Sequence, residues 1–269
     1  AYAEDITGRR IYQIRIKEID TGKVYDHVIT NASSDVVWNN DGDTLYYCEK
    51  DPETLRPFKV KSYQLSTQKE EVHFEEKDEA FIAGVSLNKD FSHILIGSYS
   101  TLTTEFQIKK AGDLEPFETF LKRENGHEYY PELKGDLVII KTNHNAENFK
   151  IVECTVDSRS IENWKEIQGH SLKTFVEDFE VFEQYIVVQE KENGLTQLRV
   201  HDTQNGGSKV VPPREETYMM YIGTNPTMEQ QTVRIGYSSM TTPHSVIDVD
   251  LSTFEEEVKK LVAEIIEVP

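Results

Sequence analysis

The serines that could act as nucleophiles lie in two glycine-containing strings, Gly97-Ser98-Tyr99-Ser100 and Gly236-Tyr237-Ser238-Ser239-Met240. Hydrolases of the α/β type place the nucleophile in Gly-x-Ser-x-Gly, at a sharp turn from a strand into a helix. Neither string has the second glycine, and neither precedes a helical pattern. Both fall at the predicted turn between the second and third strands of a repeated unit. We therefore interpret them as loops of the repeat.

Metal ligands, phosphate cradles and acid–base pairs are not recognisable either. The eight histidines are dispersed without a His-Glu-x-x-His or Cys-x-x-Cys string, and His144 is predicted to be a loop residue. Asn39-Asn40-Asp41-Gly42-Asp43 lacks the distal glutamate of a calcium loop, which favours a hairpin turn. Pairs such as Glu75-Glu76 and Glu177-Asp178 are expected by chance among 48 acidic residues. The sequence predicts no catalytic, cofactor-binding or metal-binding residue, and it does not identify substrate-gating residues.

The charge balance limits the classes of partner. The chain has 29 Lys and Arg against 48 Asp and Glu, a net charge of −19. This charge repels phosphate backbones and anionic lipids, so we expect neither nucleic acid nor a membrane as partner. Cys48 and Cys154 lie in apolar strand-like runs, which is typical of buried thiols in a reducing compartment. The first residues lack the basic and apolar regions of a signal peptide. Together these features predict a cytoplasmic protein.

The stretch at residues 142–152 shows the element on which the chain is built. An apolar run at 137–140 precedes a polar turn, and residues 149–152 then alternate between apolar and polar. This pattern predicts two strands joined by a turn. Further units begin near residues 36, 81, 128, 173 and 219. Equivalent third-strand positions are spaced by about 46, 48, 43, 48 and 48 residues, at Tyr12, Phe58, Phe106, Phe149, Gln197 and Ser245.

Four-stranded units with a period in the forties are typical of β-propeller blades. We predict an all-β chain in which residues 1–269 form a single, partial β-propeller domain. It would contain about five to six four-stranded blades of an expected seven. A β-sandwich is the alternative. Trp38 and Trp164 lie in strand patterns and are expected to anchor the core.

Both ends depart from the four-strand pattern. Residues 1–5 take the place of a second strand, so the first unit lacks its inner strand. The tail at residues 254–266 has one helical stripe, formed by Val258, Leu261, Val262, Ile265 and Ile266. Its position in the repeat instead requires the outer strand of the last blade. The sequence leaves a short C-terminal helix and a strand equally open, and unpaired blade edges predict self-association.

Several strings between residue 1 and about residue 253 are more specific than the strand pattern requires. They are Ala1-Tyr2-Ala3-Glu4-Asp5, Asp35-Val36-Val37-Trp38-Asn39-Asn40-Asp41-Gly42, Thr54-Leu55-Arg56-Pro57-Phe58-Lys59-Val60, Glu75-Glu76-Lys77-Asp78-Glu79-Ala80-Phe81, Ala146-Glu147-Asn148-Phe149-Lys150, Glu177-Asp178-Phe179, Glu192-Asn193-Gly194-Leu195-Thr196-Gln197-Leu198-Arg199-Val200 and Thr242-Pro243-His244-Ser245-Val246. Together they resemble the N-terminal propeller domain of the oligopeptidase B group, within the prolyl oligopeptidase family of serine peptidases. The tail from Phe254 departs from that pattern.

The resemblance implies a larger enzyme. In that family a seven-bladed propeller caps an α/β-hydrolase domain, which holds a Ser-Asp-His triad, and restricts access to short peptides. The oligopeptidase B group cleaves after Arg or Lys. None of the triad can be assigned to this chain, so the resemblance implies a chain that is no enzyme on its own and a parent that is a serine-type endopeptidase. The implied partners are the hydrolase domain and short basic peptides.

A second hypothesis comes from the charge alone. A stand-alone propeller-like scaffold with a net charge of −19 would bind a basic protein partner through its acidic surface. Binding of an isolated hydrolase domain would distinguish the first hypothesis from this one.

Overall fold

A computed structural model describes residues 1–113 and 115–261. Within these ranges the chain contains 22 β-strands and two single-turn 3₁₀ helices, Val156–Ser158 and Ile161–Asn163, and no α-helix. The all-β prediction is therefore confirmed. Since no α-helix is present there, the described ranges also hold no helix capable of spanning a membrane.

The strands form five sheets, numbered I to V, in which neighbouring strands follow chain order. Sheet I contains β1 (Tyr2–Glu4), β2 (Tyr12–Lys17), β3 (Val24–Trp38), β4 (Thr44–Lys50), β5 (Pro57–Gln64) and β6 (Lys69–Glu75). Sheet II contains β7 (Ile82–Leu87), β8 (His93–Tyr99), β9 (Thr104–Lys110) and β10 (Glu118–Leu121). Sheet III contains β11 (Tyr129–Lys134), β12 (Leu137–Thr142), β13 (Lys150–Thr155) and β14 (Lys165–Gln168). Sheet IV contains β15 (Thr174–Val181), β16 (Tyr185–Glu192), β17 (Leu195–Asp202) and β18 (Ser208–Val210). Sheet V contains β19 (Tyr218–Ile222), β20 (Thr232–Ser239), β21 (Ser245–Asp250) and β22 (Glu256–Leu261).

Four consecutive four-stranded sheets reproduce the predicted blades, and the fold is that of a β-propeller. The alternation that predicted them is visible in β21, where Ser245, Ile247 and Val249 are buried and the residues between them are half-buried. Second strands are more uniformly apolar because they are covered on both faces. In β8, for example, every residue except Tyr99 is buried.

Turns between the third and fourth strands of the sequence repeat have a common backbone geometry; in sheet I they precede β3 and β6. In four of them a residue with positive φ donates its N–H to the carbonyl four residues earlier. These residues are Gly22, Gln68, Gly206 and Phe254, with φ of 72°, 57°, 76° and 62°. Glycine takes this conformation without strain, whereas glutamine and phenylalanine do not.

The first two predicted units are not separate. We expected one strand at residues 24–30 and a new unit at Val36, but β3 runs through both as a single strand of 15 residues. Ala32 pairs with Tyr12 on one side and with Glu49 on the other, so one six-stranded sheet results. The linking residues form irregularities of the strand instead of a hairpin turn: Asn31 has a positive φ of 57°, and the register shifts on both sides of Ala32.

The tail is a strand where it is described, so the helical alternative is wrong for Glu256–Leu261. This segment is β22 and pairs antiparallel with β21, with Val246 opposite Lys260 and Ile247 opposite Val258. Pairing with a neighbouring strand satisfies the backbone, which outweighs the helical spacing of a few apolar residues. Val262, Ile265 and Ile266 lie outside the described residues.

The chain divides into two compact units. Unit 1 comprises residues 1–129 and 159–161 and contains sheets I and II, while unit 2 comprises residues 130–158 and the chain from 162 onward. Each unit has its own buried apolar clusters. Cys48 and Cys154 are both buried free thiols.

The two tryptophans differ from the expectation of core anchors. Trp38 is only half-buried but packs against a core cluster of unit 1. Trp164 lies just before β14, outside any strand, and its ring contacts His144 edge-on at 6.3 Å between centroids. The strand predicted to contain Trp164 begins one residue later, at Lys165, after the 3₁₀ helix Ile161–Asn163.

Candidate functional site

Ser98, in the first of the two glycine-containing strings, is 2% exposed at the end of β8. Its hydroxyl donates a hydrogen bond to the Glu76 carboxylate and accepts one from Nη2 of Arg123 at 2.9 Å. A nucleophilic serine instead needs an adjacent base and access to substrate. In the second string, Ser239 Oγ accepts hydrogen bonds from the backbone N–H groups of Thr241 and Thr242 at 3.0 and 2.8 Å. Both serines therefore hold backbone or side chains in place.

The remaining sequence candidates are turn residues. Asp41 accepts hydrogen bonds from the N–H groups of Asp43 and Thr44, both at 2.8 Å, which is the predicted hairpin turn. His144 lies between β12 and β13, and its N–H donates to Thr142 Oγ1 at 3.1 Å. Across residues 1–113 and 115–261, no three His, Cys, Asp or Glu side chains are close enough together to hold a metal ion.

A more informative feature is a repeated contact between successive sheets, which we call the inter-sheet clamp. In each clamp, a residue in a sheet's inner strands, or in the connection between two of them, forms a hydrogen bond with the main chain at or next to the first strand of the next sheet. In unit 1, Arg56 Nη1 donates to the Phe81 carbonyl at 2.8 Å, linking sheets I and II. Thr104 Oγ1 donates to the Tyr129 carbonyl and accepts from the Tyr129 N–H, both at 2.8 Å.

Unit 2 has two further clamps. The Val176 N–H in β15 donates to the Asn148 carbonyl at 3.0 Å. Asn148 belongs to the stretch 142–152, so this predicted turn holds the first strand of sheet IV. The Ile222 N–H in β19 donates to Gln189 Oε1 at 2.8 Å. Within unit 1 the clamps hold the main chain at Phe81 and Tyr129, and within unit 2 they hold β15 and β19.

Buried carboxylates support the clamps. Glu76 is 5% exposed and bonds to Arg123, whose guanidinium lies 3.7 Å from the centre of the Phe81 ring. Burial acts to raise the pKa of Glu76, but the hydrogen bonds from Arg123 and Ser98 outweigh it and keep this pKa below its ordinary value. Glu76 is therefore ionised at neutral pH and holds Arg123 in place.

Glu190 plays the same part in unit 2, where it is fully buried. Its carboxylate accepts hydrogen bonds from Arg199 Nη2, Gln197 Nε2 and Gln168 Nε2, each at 2.7 Å. Gln168 is in sheet III and the other three residues are in sheet IV, so this cluster is a second link between those sheets. The sequence did not single out Glu190 among the 48 acidic residues. Its one local signal is Gln197-Leu198-Arg199, because residues two apart on a strand lie on the same face and so place an amide beside a cation.

The first strands present exposed side chains beside these clamps. In unit 1 a groove of about 910 Å³ lies between the second half of β3 and β7. Ser34, Asp35, Ile82 and Ser86 line it and are exposed, while Ala83 and Val85 on the same strand as Ile82 point into the core. This groove is the candidate functional site of unit 1, with one carboxylate among apolar and hydroxyl groups. The period-2 alternation of residues 82–87 is the sequence signal that could have located it.

In unit 2 the first strands carry exposed aromatic and thioether side chains. Phe175 on β15 is 40% exposed, and Met219 and Tyr221 on β19 are 65% and 41% exposed. Met219 and Tyr221 are two positions apart on β19 and therefore lie on the same face of that strand. The first strands of both units therefore present side chains suited to contacting a ligand.

The chain is similar to several peptidases. Residues 1–262 match the family model described as the prolyl oligopeptidase N-terminal beta-propeller domain. The chain is 38% identical to dipeptidyl aminopeptidase BI of Pseudoxanthomonas mexicana over 258 residues, which are 95% of this chain and 36% of that protein. It is 27% identical to protease 2 of Moraxella lacunata over 263 residues, which are 96% of this chain and 37% of that protein.

Among solved structures, oligopeptidase B from Leishmania major is similar with a TM-score of 0.88 at 26% identity, covering 96% of this chain and 38% of that one. The chain thus spans little more than a third of the length of these relatives. The predicted resemblance is confirmed over nearly all of the described residues, and the chain belongs to the prolyl oligopeptidase family, as an N-terminal β-propeller domain of that family.

Proposed function

We propose that residues 1–269 form a single propeller domain that covers the active site of a cytoplasmic serine oligopeptidase and admits only short peptides. The domain itself does no chemistry. A hydrolase domain elsewhere in the parent protein supplies the triad, and short peptides with Arg or Lys at the cleaved bond are its substrates. The observation that carries this proposal is the family match over residues 1–262 in a chain that spans 36% of its relative's length.

The first strands support the gating part of the proposal. Within each unit the clamps hold the main chain at or next to a first strand by hydrogen bonds, so the exposed side chains on β7, β15 and β19 have defined positions. Asp35 in the groove offers a negative charge to a basic peptide, and Ile82 offers apolar contact. Strands held in fixed positions suit contact with a flexible peptide.

The proposal is tested by assaying the chain with a fluorogenic dipeptide that contains arginine, with and without a serine-directed inhibitor. We expect no inhibitor-sensitive turnover from residues 1–269, whereas the full-length parent should show it. Turnover by the chain alone that the inhibitor abolishes would refute a non-catalytic role.

The net charge of −19 favours one other function, a stand-alone scaffold for a basic protein. A pull-down with an isolated hydrolase domain of the family and with a basic protein separates the two. Binding of the hydrolase domain supports the gating proposal. Salt-sensitive binding of the basic protein alone would support the scaffold, because exposed charge pairs weaken as ionic strength rises.

A further inference from the structure

A pocket of about 590 Å³ opens in unit 1, where turns of sheets I and II meet. Its floor consists of Asn39, Tyr46, Ser62 and Lys109, each less than a tenth exposed. Pockets of several hundred Å³ in which a few polar groups converge on a buried floor have the dimensions of small-molecule sites. No step of the proposed gating function uses this pocket.

Lys109 is the unusual member of the floor, with 9% of its surface exposed. Its Nζ donates one hydrogen bond, to Tyr46 Oη at 3.0 Å, and lies 5.7 Å from the ring centres of both Tyr46 and Phe117. Within the described part of the chain, no carboxylate lies within 4 Å of this ammonium. Aromatic faces offset only part of the cost of burying a cation, so Lys109 has unused capacity for an anionic group.

His73 completes the floor as a neutral group. Its Nε2 is 2.8 Å from Ser62 Oγ, and its ring centre is 5.2 Å from that of Tyr46. Burial lowers the pKa of His73, and the charge of Lys109 lowers it further, although Glu71 acts in the opposite direction. His73 is therefore uncharged at neutral pH and does not compete with Lys109 for an anionic group.

The rim has the opposite charge. Exposed carboxylates of Glu71, Asp113 and Glu115 lie at the opening, with one exposed rim cation, Lys69. Two other lining carboxylates are already engaged, because Asp41 accepts the hydrogen bonds of its own turn and Glu70 pairs with Lys61. A simple anion would be repelled at this rim before it reached Lys109. A ligand with a carboxylate at one end and a cation at the other would complement both the floor and the rim.

We propose that this pocket binds a small zwitterion, with its carboxylate on Lys109 and its cationic group among the rim carboxylates. Arginine has both groups, either as the free amino acid or as the C-terminal residue of a peptide. The aliphatic part of its side chain would lie against Tyr46 and the neutral His73. A charge-assisted hydrogen bond from Lys109 to the carboxylate would be the main contact.

The test is isothermal titration of the chain with L-arginine at constant ionic strength. Agmatine, which lacks the carboxylate, and acetate, which lacks the cation, should each bind at least about tenfold more weakly, since each loses one set of charged contacts. Ala-Arg and its C-terminal amide distinguish free arginine from the C-terminal arginine of a peptide. If the pocket takes a peptide end, Ala-Arg should bind, whereas its amide, which lacks the free carboxylate, should not. Absence of arginine binding, or agmatine binding as tightly as arginine, would overturn the proposal.

The matched variants are Lys109→Met and Lys110→Met. Lys110 is the exposed neighbour on β9, so its replacement removes the same charge outside the pocket. We expect Lys109→Met to weaken arginine binding at least about tenfold and Lys110→Met to leave it unchanged. The thermal midpoint of Lys109→Met should not fall, because an unpaired buried charge has been removed. Undiminished arginine binding by Lys109→Met would refute the role of this lysine, and should that variant not fold, the ligand series on the unaltered chain decides.

Discussion

The buried carboxylate of Glu190 should be strongly coupled to Arg199. Arg199 gives Glu190 its Nη2 contact at 2.7 Å and an Nε contact at 3.1 Å, and the carboxylate is fully buried. Replacing Arg199 by Met leaves a buried anion with only two amide donors. Removing one partner of a buried ion pair costs about 3–5 kcal/mol. Because the Arg199 side chain is 28% exposed and water can reach the vacated space, we expect the lower end, about 3 kcal/mol.

The reverse change, Glu190→Gln, turns one acceptor into a donor that faces the donors of Arg199 and the glutamines. Lost hydrogen bonds to a charged group give a cost of about 2 kcal/mol. The double variant lacks both charges, and we expect it to cost about 3 kcal/mol, well below the sum of the single changes. The coupling free energy from this cycle is therefore about 2 kcal/mol.

Urea unfolding followed by far-UV circular dichroism measures the four proteins, and an unchanged slope shows that only stability has changed. The control cycle uses Arg234 and Asp248, which form the same two-contact pair at 2.7 and 2.9 Å, with Arg234 exposed. We expect its coupling to be clearly smaller, since solvent screens it. A coupling at Glu190–Arg199 no larger than the control would refute the claim that burial strengthens this ion pair.

Three further predictions concern packing, pH and thiols. A Cβ at Gly97 would lie 2.1 Å from Tyr99 Oη, and one at Gly236 would lie 2.2 Å from Tyr221 Cζ. We expect Gly97→Ala to lower the unfolding free energy by about 1–3 kcal/mol and Gly236→Ala to lower it less, because the exposed Tyr221 can move away. Equal urea midpoints for the two variants would contradict this. Hydrogen bonds from Ser252 and Thr253 hold the pKa of Asp250 at about 2, below its ordinary value. The contribution of Asp250 to the unfolding free energy is therefore complete above about pH 4 and is lost as the pH falls towards 2. An NMR titration of Asp250 with a midpoint near 4 would disprove this. Burial raises the pKa of the Cys48 thiol to about 12 and that of the Cys154 thiol to about 11. Ellman's reagent should therefore react with the two thiols only after unfolding. Rapid reaction of the folded chain would be inconsistent with the structure.

Strand positions could be predicted because alternation and turn residues are local signals. Phe58, Phe106, Gln197 and Ser245 were predicted at equivalent third-strand positions. Phe106, Gln197 and Ser245 lie in the third strands of sheets II, IV and V, and Phe58 lies in β5, the strand before the last of sheet I. Phe149 lies one residue before β13, with positive φ in the predicted turn. The repeat therefore specifies the propeller fold before any contact is known.

Contacts between sheets could not be predicted in this way. Glu190 and Gln168 are 22 residues apart, and their hydrogen bond depends on how two sheets pack. In a chain with 48 acidic residues, no local pattern separates a buried carboxylate from a solvated one. The sequence also did not predict that the first two repeats share one sheet. The long strand through Ala32 pairs with Tyr12 on one side and Glu49 on the other, and its two halves look like separate strands in sequence.

Photo-crosslinking of a short arginine-containing peptide in the full-length parent protein tests the gating proposal most directly. A photoreactive residue replaces Ser86 on the first strand of sheet II or, as control, Val72 on β6, the last strand of sheet I. Val72 is 51% exposed. The account predicts peptide crosslinked at position 86 and only background at position 72. Crosslinking at position 72 that equals or exceeds that at position 86 would contradict it.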